Sequence, residues 1–143
     1  MSKPVFVLHG AWYTPRCWER LVKELETAGY GSVAPAFPSS GSVPPTPDWS
    51  ADVEMIRGTV SNLVEEGRDV VVVMHSFSSI TGGTSLHVLD KESRKSRQLN
   101  GSVVRLIYVV AFLVPEGFQH SPFGTRDNMV PEMITDLDVS LST

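Results

Sequence analysis

The hydrophobic and polar positions of this chain fall into blocks that predict strands and helices in alternation. Short, continuous apolar runs predict buried strands at residues 4–8, 32–36, 69–74 and 103–110. Helical spacing or helical length follows each of the first three runs, at residues 16–28, 50–67 and 77–89. This β-α-β-α-β-α-β order predicts one parallel sheet with right-handed crossovers and helices on both faces, which is a three-layer αβα fold.

The remaining segments carry no regular period. Residues 37–49 contain four prolines and predict a loop. Residues 90–101 are charged and rich in lysine and arginine, so we expect a solvated linker there. The end of the chain has no convincing period either. We therefore expect a single domain over residues 1–143, with an ordered core at about 3–117 and a poorly defined tail at 118–143.

Composition narrows the class of protein. The chain has 143 residues, of which 41% are apolar and 20% charged, as in an ordinary globular domain. Its 16 acidic and 12 basic residues give a net charge of −4, which argues against a nucleic-acid-binding surface. No apolar run approaches the roughly 20 residues of a membrane span. The start shows no signal-peptide pattern, and Cys17 is the only cysteine. The sequence predicts a cytoplasmic protein without a membrane or nucleic-acid partner.

Ser76 stands where the third apolar run stops. Residues 69–75 read Asp-Val-Val-Val-Val-Met-His, and the apolar pattern ends at this small hydroxyl residue. A serine directly after a buried parallel strand, with a helix following it, occupies the place of a nucleophile elbow, a sharp turn that projects the serine oxygen from the top of the sheet. From the valine-rich context alone, an ordinary serine at a strand end is the alternative.

Four segments together favour the elbow interpretation. They read Val-Phe-Val-Leu-His-Gly-Ala-Trp at 5–12, Ala-Pro-Ala-Phe-Pro-Ser-Ser-Gly at 34–41, Val-Met-His-Ser-Phe at 73–77 and Tyr-Val-Val-Ala-Phe-Leu-Val-Pro-Glu-Gly at 108–117. With these segments the chain resembles the first half of an α/β-hydrolase, nearest to the cofactor-free esterases and lyases of plant and fungal type. The resemblance implies a truncated α/β-hydrolase fold whose strands lie in the order second, first, third, fourth.

The resemblance also implies roles for the residues around Ser76. Acyl transfer builds negative charge on a carbonyl oxygen, and backbone N–H groups aimed at that oxygen stabilise it. In the family one donor belongs to the residue after the elbow serine, and the other to the residue after His-Gly, which correspond here to Phe77 and Ala11. Ser76 would attack the carbonyl as the nucleophile. The other loop residues, expected to support this arrangement, are His9, Gly10 and His75.

The sequence departs from the family pattern near the serine and after it. Met74 stands where many members have glycine, and Ser78 and Ser79 replace a Gly-Gly pair. In the family the triad acid and the histidine base follow later strands, and we expect both to be absent from this sequence. His87 lies on the helix that leads away from the serine. A substitute triad would use His120 with an aspartate that no predicted strand positions: Asp127, Asp136 or Asp138.

Three functions remain open on this sequence. The first is a serine hydrolase of esterase or lactonase type that acts on a small apolar ester, in fungal specialised metabolism by resemblance. The second is a truncated or inactive homologue that binds a small molecule or a partner, and the third is a lyase related to hydroxynitrile lyases.

The histidines lack metal-ligand spacing and no phosphate-binding loop occurs, so we expect neither a metal nor a cofactor. Tyr108, Val109 and Val110 would lie on an open sheet edge, which predicts self-association.

Overall fold

The computed structural model describes residues 4–117 of the chain. The predicted tail, with His120 and the three candidate aspartates, therefore lies outside the described residues. Met1–Leu113 forms one compact unit, and the strands and helices of the described residues all belong to it.

Four parallel strands form one sheet. They are β1 (Val5–Leu8), β2 (Ser32–Val33), β3 (Asp69–His75) and β4 (Ser102–Val109). Their order is β2-β1-β3-β4, as the resemblance implied. β3 pairs with β1 through Val71–Val5 and with β4 from Asp69–Ser102 onward. The predicted second strand is shorter than expected, because β2 pairs with β1 at only two positions.

The helices lie between the strands as the apolar spacing predicts. A 3₁₀ turn over Pro15–Trp18 leads into α1 (Glu19–Thr27), and α2 spans Ser50–Glu65. The third helix, α3 (Ser78–Ser85), ends four residues earlier than predicted. None of the helices in the described part of the chain is long and apolar enough to cross a membrane.

Alternate strand residues form two cores, one on each face of the sheet. Phe6, Leu8 and Met74 pack with buried residues of α2, whereas Val5, Val7 and Val73 contact the half-buried apolar side of α1. This alternation is a consequence of the two-residue period of a strand. It gives the predicted three layers, with α1 on one face of the sheet and α2 on the other.

The prediction of a solvated linker at residues 90–101 was wrong. A short helix, α4 (Lys91–Ser96), begins there, and the carboxylate of Asp90 accepts a hydrogen bond from the N–H of Ser93 in its first turn. Arg94 is buried rather than solvated. Its guanidinium donates to the carbonyls of Val64, Asn100 and Gly101 and to Glu65. The charged run therefore ties the end of α2 to the start of β4.

β4 is the open edge of the described sheet. Leu106 and Ile107 are each 39% exposed and Tyr108 is 40% exposed, although they continue an apolar run. Val110 is 87% exposed, as expected, but Val109 is half-buried, because it packs against the core on the α1 face. The apolar surface along β4 is therefore available on both faces of the sheet.

Candidate active site

Ser76 lies in the tight turn between β3 and α3. Its φ is 53°, in the left-handed region that a non-glycine residue adopts only at a cost. Its N–H donates to the carbonyl of Val109 at 3.3 Å, and its carbonyl accepts from the hydroxyl of Ser79 at 2.8 Å. The residue is half-buried. Both sides of the turn are thus held by hydrogen bonds, and the strained backbone is the kind that a nucleophile elbow requires.

Ser78 fits the turn, although it replaces a glycine of the family pattern. Its side chain is fully buried, and its hydroxyl accepts a hydrogen bond from the N–H of His75 at 2.9 Å. The same oxygen lies 2.9 Å from the carbonyl of His75 and 3.3 Å from that of Leu8, where its proton can be donated. The hydroxyl therefore joins the ends of β1 and β3 to the start of α3.

Met74 also fits, because a glycine elsewhere gives it room. A Cβ placed on Gly82 of α3 would lie 2.6 Å from the Met74 sulfur and 3.5 Å from a methyl of Leu8. Real Cβ atoms do not approach a sulfur so closely, so a side chain on Gly82 would force Met74 to shift. The close approach of strand and helix is preserved, with its glycine on α3.

The loop after β1 packs directly against the elbow. A Cβ on Gly10 would lie 2.8 Å from Nδ1 of His75 and 3.2 Å from Cβ of Ser76. The ring of His75 meets Tyr13 and Trp18 edge-on, with centroids 5.6 and 6.0 Å apart. Gly10 and His75 are thus packing partners, and their contact brings the loop within reach of the serine.

His9 has both ring nitrogens hydrogen-bonded within the fold. It is completely buried, and its Nε2 accepts a hydrogen bond from the N–H of Phe37 at 3.2 Å. Nδ1 lies 2.9 Å from the carbonyl of Gly10, to which it donates when Nε2 is the acceptor. His9 therefore joins the loop after β1 to the loop after β2.

A cavity of about 450 Å³ opens where these loops meet. Its lining residues are Ala11, Trp12, Tyr13, Thr14, Phe37, Ser39, Ser40, Gly41 and Phe77. No side chain among them carries a full charge at neutral pH, and their polar groups are hydroxyls and the indole N–H of Trp12. Ser76 itself is not among the lining residues; its neighbour Phe77 is. The volume is in the range of small-molecule sites.

The two predicted oxyanion donors, Ala11 and Phe77, line this same cavity. Among residues 4–117, neither N–H donates a hydrogen bond to a backbone or side-chain acceptor. Unpartnered N–H groups on two adjoining loops are what an oxyanion hole needs, because they stabilise charge that appears only during the reaction. The two residues that the sequence predicts as oxyanion donors therefore line the same cavity.

The described residues do not provide a histidine base beside Ser76. Both nitrogens of His9 are engaged, and the ring of His75 packs edge-on against Tyr13 and Trp18. His87 lies two residues beyond the far end of α3, a helix of 8 residues that is about 12 Å long at 1.5 Å per residue. Residues 4–117 also contain no group of three histidine, cysteine or carboxylate side chains that could hold a metal ion.

Asp52 is a site residue that sequence reasoning missed. It is completely buried in the first turn of α2, and it accepts hydrogen bonds from the N–H and the hydroxyl of Ser39. The signal in the sequence that could have revealed its burial was its helical spacing. Asp52 lies four residues before Ile56 and eight before Val60, so it continues the buried stripe of the helix.

Comparison with known proteins agrees with this architecture. Residues 5–138 match the model of the alpha/beta hydrolase family. The alpha/beta hydrolase nvfD of Aspergillus novofumigatus (strain IBT 16806) is 38% identical over 118 residues, which are 82% of this chain and 46% of that protein. The chain thus spans about half the length of this relative. The predicted fold class, a three-layer αβα sheet of the truncated α/β-hydrolase type, is confirmed, and the chain belongs to the alpha/beta hydrolase family.

Proposed function

We propose that this chain carries the nucleophile and the oxyanion hole of a serine hydrolase of esterase or lactonase type, acting on a small apolar ester. Ser76 is the nucleophile, and the N–H groups of Ala11 and Phe77 are the oxyanion donors. The observation that carries the proposal is the left-handed turn at Ser76, held against a loop with an unpartnered N–H at Ala11. The uncharged, partly aromatic cavity supports an apolar substrate.

In this mechanism the Ser76 oxygen attacks the ester carbonyl, and the carbonyl electron pair moves to the oxygen held by the two N–H donors. Each donor is worth roughly 3–4 kcal/mol in the transition state. Collapse of the tetrahedral intermediate expels the alcohol and leaves an acyl group on Ser76, which water then removes. The proton of Ser76 passes to a general base and from it to the departing alkoxide, which leaves as the alcohol. Residues 4–117 place no histidine for this step, and His120 is the remaining histidine of the sequence.

Fluorophosphonate labelling tests the assignment of Ser76. We expect one covalent adduct per chain, located at Ser76 by peptide mass spectrometry and lost in Ser76→Ala. Ser96→Ala removes an exposed hydroxyl on α4 and should label as the unchanged protein does. Labelling that persists in Ser76→Ala contradicts the assignment, as does an adduct at another serine.

A binding protein without turnover is the second candidate. It is favoured by one observation: the three histidines of the described part are engaged elsewhere or distant from the elbow. Loss of triad members leaves only about 10³–10⁴-fold acceleration over water. Thermal stabilisation by a small ester, without fluorophosphonate labelling and without ester cleavage, would favour this function over the hydrolase.

The setting of the protein is also part of the proposal. The relative nvfD comes from a fungus, and the role we propose, by resemblance alone, is in fungal specialised metabolism. A cytoplasmic location is supported by a single cysteine, Cys17, because such a chain builds no internal disulfide.

A further inference from the structure

One wall of the cavity, formed by Phe37, Ser39, Ser40 and Gly41, is held in place by the buried carboxylate of Asp52. Asp52 has no exposed surface, and its two oxygens accept from Ser39: Oδ1 from the N–H at 2.9 Å and Oδ2 from the hydroxyl at 2.6 Å. An O–H···O distance of about 2.6 Å is typical of a hydrogen bond to an ionised carboxylate. Asp52 therefore binds the backbone and the side chain of Ser39 at once.

The same wall is anchored at a second point. His9 accepts the N–H of Phe37 at 3.2 Å, two residues before Ser39. Phe37, Ser39, Ser40 and Gly41 all line the cavity, so these two anchors fix the shape of the wall. The helix α2 and the loop after β1 thus jointly hold the segment that faces a bound molecule.

The hydrogen bond to Asp52 also determines whether the Ser39 hydroxyl can donate or accept in the cavity. A serine hydroxyl has one proton, and an ionised carboxylate can only accept. Because the proton of Ser39 is donated to Asp52, the oxygen can only accept from any group in the cavity. We propose that Ser39, polarised in this way by Asp52, selects a substrate that carries a hydroxyl group near its ester. This inference rests on the proposed function and names the substrate class of that site.

Asp52→Asn is the decisive variant, because it frees the Ser39 proton, so that the hydroxyl can donate as well as accept in the cavity. The asparagine oxygen still accepts the Ser39 N–H, while its NH₂ group donates to the Ser39 oxygen. The Ser39 proton is then free to point into the cavity. A merely structural role for Asp52 would weaken binding of every ligand alike, whereas the proposal requires the preference for the alcohol over its methyl ether to disappear.

The experiment uses two ketones that cannot be hydrolysed, 1-hydroxy-1-phenylpropan-2-one and its methyl ether, titrated by calorimetry. The unchanged protein should bind the alcohol about 5- to 10-fold more tightly, the worth of one hydrogen bond. In Asp52→Asn the ratio should fall to about one, because the freed Ser39 proton can be donated to the oxygen of either ligand. Ser39→Ala should remove the discrimination. Asp48→Asn is the matched control, because it alters an exposed carboxylate that accepts a backbone N–H outside the cavity.

Each outcome decides the inference. An unchanged ratio in folded Asp52→Asn overturns it, and so does a protein that binds neither ketone. If Asp52→Asn does not fold, Ser39→Ala and Ser39→Thr decide: the alanine must lose the preference for the alcohol, and the threonine, which keeps the hydroxyl, must retain it. Labelling of Ser76 without a preference between the two ketones contradicts only this inference. A preference between the two ketones without labelling of Ser76 contradicts only the proposed hydrolase.

Discussion

Replacing Gly82 and Gly83 by alanine, one at a time, tests the close contact beneath the elbow. Both lie in α3, where alanine gains roughly 0.5–1 kcal/mol over glycine. A Cβ on Gly83 meets no atom within 4 Å, whereas one on Gly82 would lie 2.6 Å from the Met74 sulfur. Met74 is fully buried, so overpacking there costs about 1–3 kcal/mol. Gly83→Ala should therefore stabilise the fold, and Gly82→Ala should be neutral or destabilise it by up to about 2 kcal/mol.

Urea unfolding measures this difference. Because the helix-propensity gain is common to both variants, their free energies of unfolding should differ by the overpacking cost of about 1–3 kcal/mol, with unchanged m-values. In a Met74→Ala background the sulfur is gone, and the two alanines should become equivalent. The reasoning is refuted if the two glycines respond alike in the original background, or if the cost at Gly82 survives the loss of the sulfur.

Four further perturbations have defined outcomes. Gly10→Ala places a Cβ 2.8 Å from the neighbouring imidazole, so urea unfolding should show a loss of about 1–3 kcal/mol, and fluorophosphonate labelling should slow. Arg94→Met leaves three carbonyls without their donor and should cost about 2–4 kcal/mol in the same assay. The hydrogen bond from that guanidinium lowers the pKa of Glu65, so its contribution is fully present above the ordinary value of about 4.3 and is lost as pH falls through the lowered pKa. Glu65→Gln should therefore flatten the acid limb of stability against pH, and an unchanged limb would contradict this. We propose self-association through β4: sedimentation should show a concentration-dependent dimer that Leu106→Lys with Tyr108→Lys abolishes, and a monodisperse monomer of the unchanged protein would refute it.

The sheet was predictable from the sequence because its strands are continuous apolar runs separated by turn residues. α4 was not, because its pattern is that of a solvated segment. The buried state of Arg94 depends on carbonyls at Val64, Asn100 and Gly101, and the first of these lies on another helix. A single sequence contains no local signal for such a long-range contact. The wrong linker prediction is therefore a case of tertiary contacts overriding composition.

The candidate site was likewise predictable only in part. Ala11 and Phe77 could be placed together because the strand order brings their two loops to one end of the sheet. The anchoring of Ser39 by Asp52 needed the loop geometry, since residues 42–49 separate the wall from α2. The helical spacing of Asp52 indicated that this side chain is buried, but nothing in the sequence indicated that its partner is Ser39. Sequence reasoning thus found the groups that follow strands, including the loop-supporting His9, and missed Asp52, which holds a loop from a helix.

The elbow and the open sheet edge are connected through one hydrogen bond. The N–H of Ser76 donates to the carbonyl of Val109, the last residue of β4. An edge strand with exposed apolar residues opens at a lower free energy than the central strands β1 and β3, which are paired on both sides. Fraying of β4 would therefore release one of the bonds that hold Ser76 in its left-handed conformation. It follows that whatever covers β4 also stabilises the turn on which the proposed chemistry depends.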